Sequence, residues 1–320
     1  MTHLRTPARY LLSKTLLLTM FGALLLPLNA RAQTLITSDS LLNTGSPLTE
    51  SSNAPGTNGA VGLVHSSSNT SVNLWLIYTN PWGVTSGSGT ISMNYSGSGS
   101  IVTSINLTGL PGGGVDGSPF TLLGCDQWAG CSANGQPLQF PKQLSAMSSL
   151  VVDYSYALSG TITGSLDIDM IWDEWVCNSS HPNGIPACLE VEILPYYNFS
   201  MGHGGATFVR TVNVPVTLNG NANTLSLDEY TWGQAVLYFP HTLPGLASAS
   251  IRFNMLNLLN QAVTDNGNTA FSWLMGIEAG TEFGASSTQS YTFTLSKLDV
   301  EQTLAGSQPA PPTNLTAVVQ

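Results

Sequence analysis

Cys188-Leu189-Glu190-Val191-Glu192-Ile193-Leu194-Pro195-Tyr196 alternates apolar and polar side chains with a period of two. On a β-strand, residues two apart share a face. Leu189, Val191, Ile193 and Pro195 therefore point to a core, and Glu190, Glu192, Leu194 and Tyr196 point away from it. A strand with one buried and one open face belongs to a sheet packed on one side.

The same rule applies to two other runs. In Leu166–Asp173, Leu166, Ile168, Met170 and Trp172 form an apolar face, while Asp167, Asp169 and Asp173 fall opposite with Ile171. In Trp273–Phe283, Trp273, Met275, Ile277, Ala279 and Phe283 alternate with Leu274, Gly276, Glu278, Gly280 and Glu282. Seven of the chain's 18 acidic residues thus lie on the open faces of three strands, with few basic residues near them in sequence. Carboxylates brought together without cations repel, which raises some of their pKa values. Cleavage of a glycosidic bond needs such a pair, one carboxylate to attack and one protonated carboxyl to donate. Gly276, Gly280 and Gly284 beside these acids leave room for a ligand to approach the backbone. A solvated acidic face, or a calcium site, would read similarly. The chain has neither an EF-hand-like loop nor an Asp-rich repeat.

Outward from these runs, short β-like segments recur between Gly-, Ser- and Asn-rich turns, which predicts an all-β jelly-roll sandwich of two antiparallel sheets. One segment departs from this pattern. Met255, Leu258, Leu259, Ala262 and Val263 follow helical spacing, predicting a single packed helix over 254–264 with Gly267 as its stop. Residues 33–58 read as a loose start with one strand at most, 59–301 as the folded domain, and 302–320 as a Pro-rich tail.

The first 32 residues carry Arg5, Arg9 and Lys14, then an apolar run, then Ala30-Arg31-Ala32. That order predicts a secretory signal peptide and a secreted chain free of the membrane after cleavage. The formal net charge of −10 argues against a nucleic-acid partner. Cys125, Cys131, Cys177 and Cys188 make an even count for an oxidising compartment. Of the three possible connectivities, neighbour pairing closes two local loops. A zinc site is the weaker reading of the cysteines, since they lack CxxC spacing and the five histidines are scattered. Tryptophan offers sugars a flat apolar face with a polar edge. Trp82 and Trp128 sit beside turn residues, as cleft-lining groups do, whereas Trp172 and Trp273 alternate with the acids and read as core. Trp75, Trp175 and Trp232 carry no assignment from sequence.

From about Ser71 to Val300 the chain resembles glycoside hydrolase family 12, the jelly-roll endoglucanases and xyloglucanases. Four blocks carry the resemblance: Tyr78-Thr79-Asn80-Pro81-Trp82-Gly83; Gly117–Gly124 followed by Trp128; Asp167–Trp172; and Gly276–Gly284 with its Gly280-Thr281-Glu282. The resemblance implies Glu282 as general acid/base, Asp169 as the aspartate assisting the nucleophile, and Asn80, Trp82 and Trp128 as sugar-binding residues. The family nucleophile lies in a Glu-x-Met-x-Trp strand. Glu192-Ile193-Leu194-Pro195-Tyr196 fits it with Leu for Met and Tyr for Trp, and a register starting at Glu190 fits less well. Glu192 is therefore the expected nucleophile, with Glu190 and Glu278 as further acids on the cleft face. The implied activity is a monomeric, endo-acting β-1,4-glucanase of cellulase or xyloglucanase type. It would work by retaining double displacement, with the carboxyls about 5–5.5 Å apart and with neither metal nor organic cofactor. A non-catalytic carbohydrate-binding jelly roll and a structural β-sandwich are the alternatives.

Overall fold

The computed structural model describes residues 33–36, 45–69, 73–97, 99–126, 128–132, 138, 140–160, 168–180, 187–199, 205–284 and 287–305. The predicted signal peptide, most of the Pro-rich tail, and Leu166 and Asp167 lie outside the described residues.

The strands in chain order are β1 (Gln33–Ile36), β2 (Leu48–Ala54), β3 (Val61–His65), β4 (Asn73–Tyr78), β5 (Ser88–Tyr95), β6 (Ile101–Thr108) and β7 (Val115–Gly117). Next come β8 (Phe120–Asp126), β9 (Gly130–Cys131), β10 (Lys142–Gln143), β11 (Met147–Ser159), β12 (Ile168–Cys177), β13 (Cys188–Asn198) and β14 (Thr207–Leu218). The remainder are β15 (Asn221–Trp232), β16 (Ala235–Pro240), β17 (Ser248–Asn254), β18 (Trp273–Leu274), β19 (Gly276–Gly280), β20 (Phe283–Gly284) and β21 (Thr288–Leu304). One α-helix, α1 (Leu256–Asn266), follows β17.

Hydrogen-bonded neighbours run β3-β4-β8-β19-β12-β13-β16-β15-β14-β17-β11-β21-β6-β5-β2, all antiparallel except the parallel β13–β16 pair. This ladder folds over on itself, with one main apolar core between its halves. Trp172 on β12 meets Tyr154 on β11 at 4.9 Å and Phe253 on β17 at 5.1 Å. Trp75 on β4 meets Tyr95 on β5 at 4.8 Å. Each is a buried aromatic joining front to back, and truncating a buried Trp to Ala typically costs about 3–5 kcal/mol. The result is the all-β sandwich expected. The ladder also takes in β2, which pairs with β5, while β1 pairs with β21; β21 itself continues to Leu304.

Helix α1 begins two residues later than its apolar spacing predicts and runs two further. Leu256, Leu258, Leu259 and Ala262 are its buried face. Gly267 ends it with φ 77°, a left-handed cap that glycine accepts without a Cβ clash. The disulfides join Cys125 to Cys131 and Cys177 to Cys188.

Two alternation readings change in register. On β13, Tyr196 lies in the core rather than on the open face. The reason is a bulge: Trp172 pairs with Ile193 and Met170 with Tyr196, so Ile171 alone opposes Leu194 and Pro195. Proline has no N–H for the ladder and sits at such irregularities. Beyond it the parity reverses, and Tyr197 and Phe199 join Ile171 and Leu194 on the open face. The second break is at Met275, whose backbone bonds both Trp175 and Cys125. Ahead of it Leu274 is the core residue and Trp273 is only half-buried.

The glycines of β19 and β20 serve neighbouring backbone rather than a ligand. A Cβ on Gly280 would run into the Pro119 carbonyl, and one on Gly284 into that of Gly114. One on Gly276 would lie 2.9 Å from the Leu123 carbonyl oxygen.

Candidate active site

The outward face of the front half of the ladder carries the acids. On β12, Ile171 and Asp173 point outward, while Met170, Trp172 and Val176 enter the core. On β13, Glu190, Glu192 and Leu194 share the outward face, and β16 adds Leu237 and Phe239. The strand β19 brings Glu278, and Glu282 follows it ahead of β20.

A cleft of about 530 Å³ opens on this face. Asp173, Glu190, Glu278 and Glu282 line it together with Trp82, Trp128 and Trp175, and Asn80, Tyr78 and Phe120 complete its wall. Of the residues predicted from sequence, Asn80, Trp82, Trp128, Glu190, Glu278 and Glu282 therefore meet in one cleft. Its described lining contains no Lys, Arg or His. Among the described residues, no group of three or more His, Cys, Asp or Glu is arranged to hold a metal ion.

The two turn tryptophans stand exposed, Trp82 at 51% and Trp128 at 61%. Each turn is fixed from below. Asn80 takes φ 34°, a left-handed conformation that asparagine tolerates, and its carbonyl accepts the Ser118 N–H at 3.0 Å. The buried Asp126 carboxylate accepts the N–H groups of Trp128 and Ala129 inside the Cys125–Cys131 loop.

Glu192 stands directly opposite Asp173 in the β12–β13 register. Burial pushes the Glu192 carboxyl well up, and the charges of Glu282 and then Glu190 push it further. Glu282 is raised by burial, then by the adjoining Asp169 and Glu190. Asp173 is raised by burial and then by Glu190, Glu278, Glu192 and Glu282, and its buried Oδ1 has no hydrogen-bond partner. Glu278 is raised by burial, then by Asp126 and Glu174. Glu190 is raised by burial to about 6. Water around each charge has been exchanged for like-charged neighbours, so the cluster holds protons at pH values where free carboxyls have lost them.

Asp169 is fully buried and engages Glu282 first. Its Oδ1 accepts the Glu282 N–H at 3.0 Å, and its own N–H donates to the Glu282 carbonyl at 3.2 Å. The charge of Glu192 acts on it as well. Asp169 thus fixes the backbone that presents Glu282 and lies near both glutamates.

Among the cleft residues that carried no role in the sequence reading are Asp173 and Trp175. A signal for Asp173 was present. Once Cys177 and Cys188 are paired across a hairpin, counting back four positions on one strand and forward four on the other sets Asp173 against Glu192. Trp175, by the same count, faces Glu190.

No family profile and no curated protein matches the sequence. Solved structures do match. A metagenome-derived endoglucanase of glycoside hydrolase family 12 aligns with TM-score 0.58 at 17% identity, over 81% of this chain and 99% of its own. A family 12 xyloglucanase from Bacillus licheniformis aligns with TM-score 0.58 at 18% identity, over 80% and 100%. An endoglucanase from Rhodothermus marinus gives 0.56 at 16%, over 72% and 92%. At this identity the likeness is one of fold, and the architecture built above is the one seen in structures of glycoside hydrolase family 12.

Proposed function

We propose that this chain is a secreted endo-acting β-1,4-glucanase, of cellulase or xyloglucanase type, working by retaining double displacement. The observation that carries the reading is the cation-free cluster of carboxyls inside a cleft walled by Trp82, Trp128 and Trp175. A neutral, hydroxyl-rich polymer suits that lining, because indole faces stack on sugar C–H faces and carboxyls accept its hydroxyls.

In the first step the Glu192 carboxylate attacks the anomeric carbon. Glu282 gives its proton to the leaving oxygen as the C–O bond breaks. In the second step Glu282, now a carboxylate, takes a proton from water, whose oxygen displaces Glu192 and returns the sugar with its original configuration. A donor must hold its proton at working pH, and burial together with Asp169 raises Glu282 in that sense. Asp173 is pushed up by burial and by four neighbouring carboxyls, Glu190, Glu278, Glu192 and Glu282, which favours its protonated form, and in that form it can donate to the Glu192 carboxylate across the ladder. Asp169 positions Glu282 through the backbone bonds described above.

One observation favours a second reading, with Glu190 as nucleophile. Glu190 lines the cleft and its carboxyl rises only to about 6, so it ionises readily. An activated 2-deoxy-2-fluoro β-cellooligosaccharide separates the two, because it leaves its sugar on the nucleophile for peptide mapping. Label on Glu192 is expected; label on Glu190 transfers the role. A chain that binds cellooligosaccharides but hydrolyses neither mixed-linkage glucan, xyloglucan nor carboxymethylcellulose is a binding module and not a hydrolase.

A further inference from the structure

A second trough, of about 390 Å³, adjoins the cleft and shares Trp175 and Glu190 with it. Its other lining residues are Cys188, Trp232, Gly233, Gln234 and Ala235. Trp232 ends β15 at the turn into β16 and is 58% exposed. Its side chain shares a face with Tyr230, two residues back, which packs on the outward cluster of Leu237, Ala235 and Phe239. Trp232 therefore stands on the same side of the sheet as the acids, beyond Glu190.

The turn that carries it is held in place. The Glu190 N–H donates to the Gln234 carbonyl at 3.0 Å, and β13 runs parallel to β16 from Glu190↔Ala235 onward. Trp175, on the wall common to both spaces, packs against the Cys177–Cys188 disulfide and Met275. The described lining of the trough is thus two indoles, a disulfide-bonded cysteine, an amide side chain and two small residues, with Glu190 as its ionisable group. Trp232 lines the trough together with Trp175 and Gln234, which sets apolar ring faces beside a hydrogen-bonding amide.

We infer that this trough is an additional binding position for the polysaccharide, in which Trp232 stacks one sugar unit beyond those held between Trp82, Trp128 and Trp175. The inference rests on the glucanase reading for the identity of the polymer. Its physical content is narrower: a neutral pyranose ring lies on the Trp232 indole, and the chain passes over Glu190 to reach it.

The test is a length series of β-1,4-linked glucose oligomers from two to six units, followed by calorimetric titration of Glu282→Gln and by hydrolysis with the unaltered enzyme, each with and without Trp232→Ala. Stacking worth about 0.5–1.5 kcal/mol corresponds to a loss of roughly two- to tenfold in affinity. That loss should appear only once the oligomer is long enough to reach the trough, and in KM rather than kcat. Trp232→Phe should restore part of it, and thermal unfolding of each variant checks that the turn survives. Equal affinity of Trp232→Ala and its parent at every length overturns the inference even when hydrolysis is normal. If the unaltered chain binds in a Trp232-dependent, length-dependent way but hydrolyses nothing, the binding position stands and the glucanase reading falls.

Discussion

The acids of this chain fall into two populations that the fold keeps apart. Away from the cleft, carboxylates meet cations: Arg210 pairs with Glu229 and Asp265, Arg252 with Glu301, and Lys297 with Asp153 and Asp299. Inside the cleft, Asp173, Glu190, Glu278 and Glu282 meet other carboxyls and neutral or aromatic groups, with no Lys, Arg or His in the described lining. A chain with just eight Lys and Arg residues has spent three of them elsewhere. Burial by itself does not distinguish the populations. Glu229 has a fully buried side chain and rises to about 7 in spite of Arg210. Glu174, next to Asp173 in sequence, turns into the core and is raised by burial alone. What sets the cleft apart is several unpaired carboxyls within reach of each other and of a ligand.

The sharpest way to break this contrast is to neutralise the two reacting acids. Glu282→Gln should lower kcat on β-glucan by about 10²–10⁴-fold, the usual weight of a catalytic proton transfer, and Glu192→Gln, which removes the attacking carboxylate, by at least as much, with far-UV circular dichroism unchanged. Near-normal turnover in either variant removes that residue from the mechanism. Asp173→Ala should cost on the order of 10²-fold in kcat, the effect of losing one donor to a reacting charge. Asp173→Asn, which keeps a donor at every pH, should recover much of it and lose the part of the alkaline limb of the pH profile that Asp173 contributes with its neighbours. Equal defects in both variants point to packing rather than positioning.

A third comparison concerns stability. Glu190 has a folded pKa near 6, above its ordinary 4.5. The folded chain therefore binds more protons than the unfolded one between those values. Its contribution is favourable below about 4.5 and is lost as pH rises through about 6. At 1.36 kcal/mol per unit, Glu190→Gln should gain about 2 kcal/mol over the parent above pH 7 and little at pH 4. Denaturant unfolding at both pH values measures this, and a pH-independent difference contradicts it. The smallest effect belongs to the outer population. Lys297→Ala should cost about 0.2–1 kcal/mol, less at high salt, because its side chain is 37% exposed. A loss as large as that from cutting a core aromatic would mean the two populations differ less than their exposure indicates.

Much of this arrangement was legible as strand alternation. Met170 and Trp172 against Asp173, and Val191 and Ile193 against Glu190 and Glu192, follow from a period of two and nothing else. The helix, its Gly267 cap and both disulfides were equally local. The rest depended on partners. Alternation carries no information past a bulge, so Tyr196 moved into the core when Leu194 and Pro195 together faced Ile171. Gly276, Gly280 and Gly284 are set by how closely β8 and its flanking loops approach, which no single strand records. Glu174 had no assignment from sequence; it shares the inward face of Trp172 and Val176 and is buried there. Asp173 acquired a role when the Cys177–Cys188 pairing set the register of its hairpin.

The strand β21 pairs with β6 along its first half, with β11 along nearly its whole length, and with β1 at its end. It follows every other described strand. A nascent polypeptide lacking residues 288–304 would expose the unpaired edges of β6 and β11, so the back layer closes only when this segment emerges. Such a topology sets the moment of collapse by chain position instead of by an added partner.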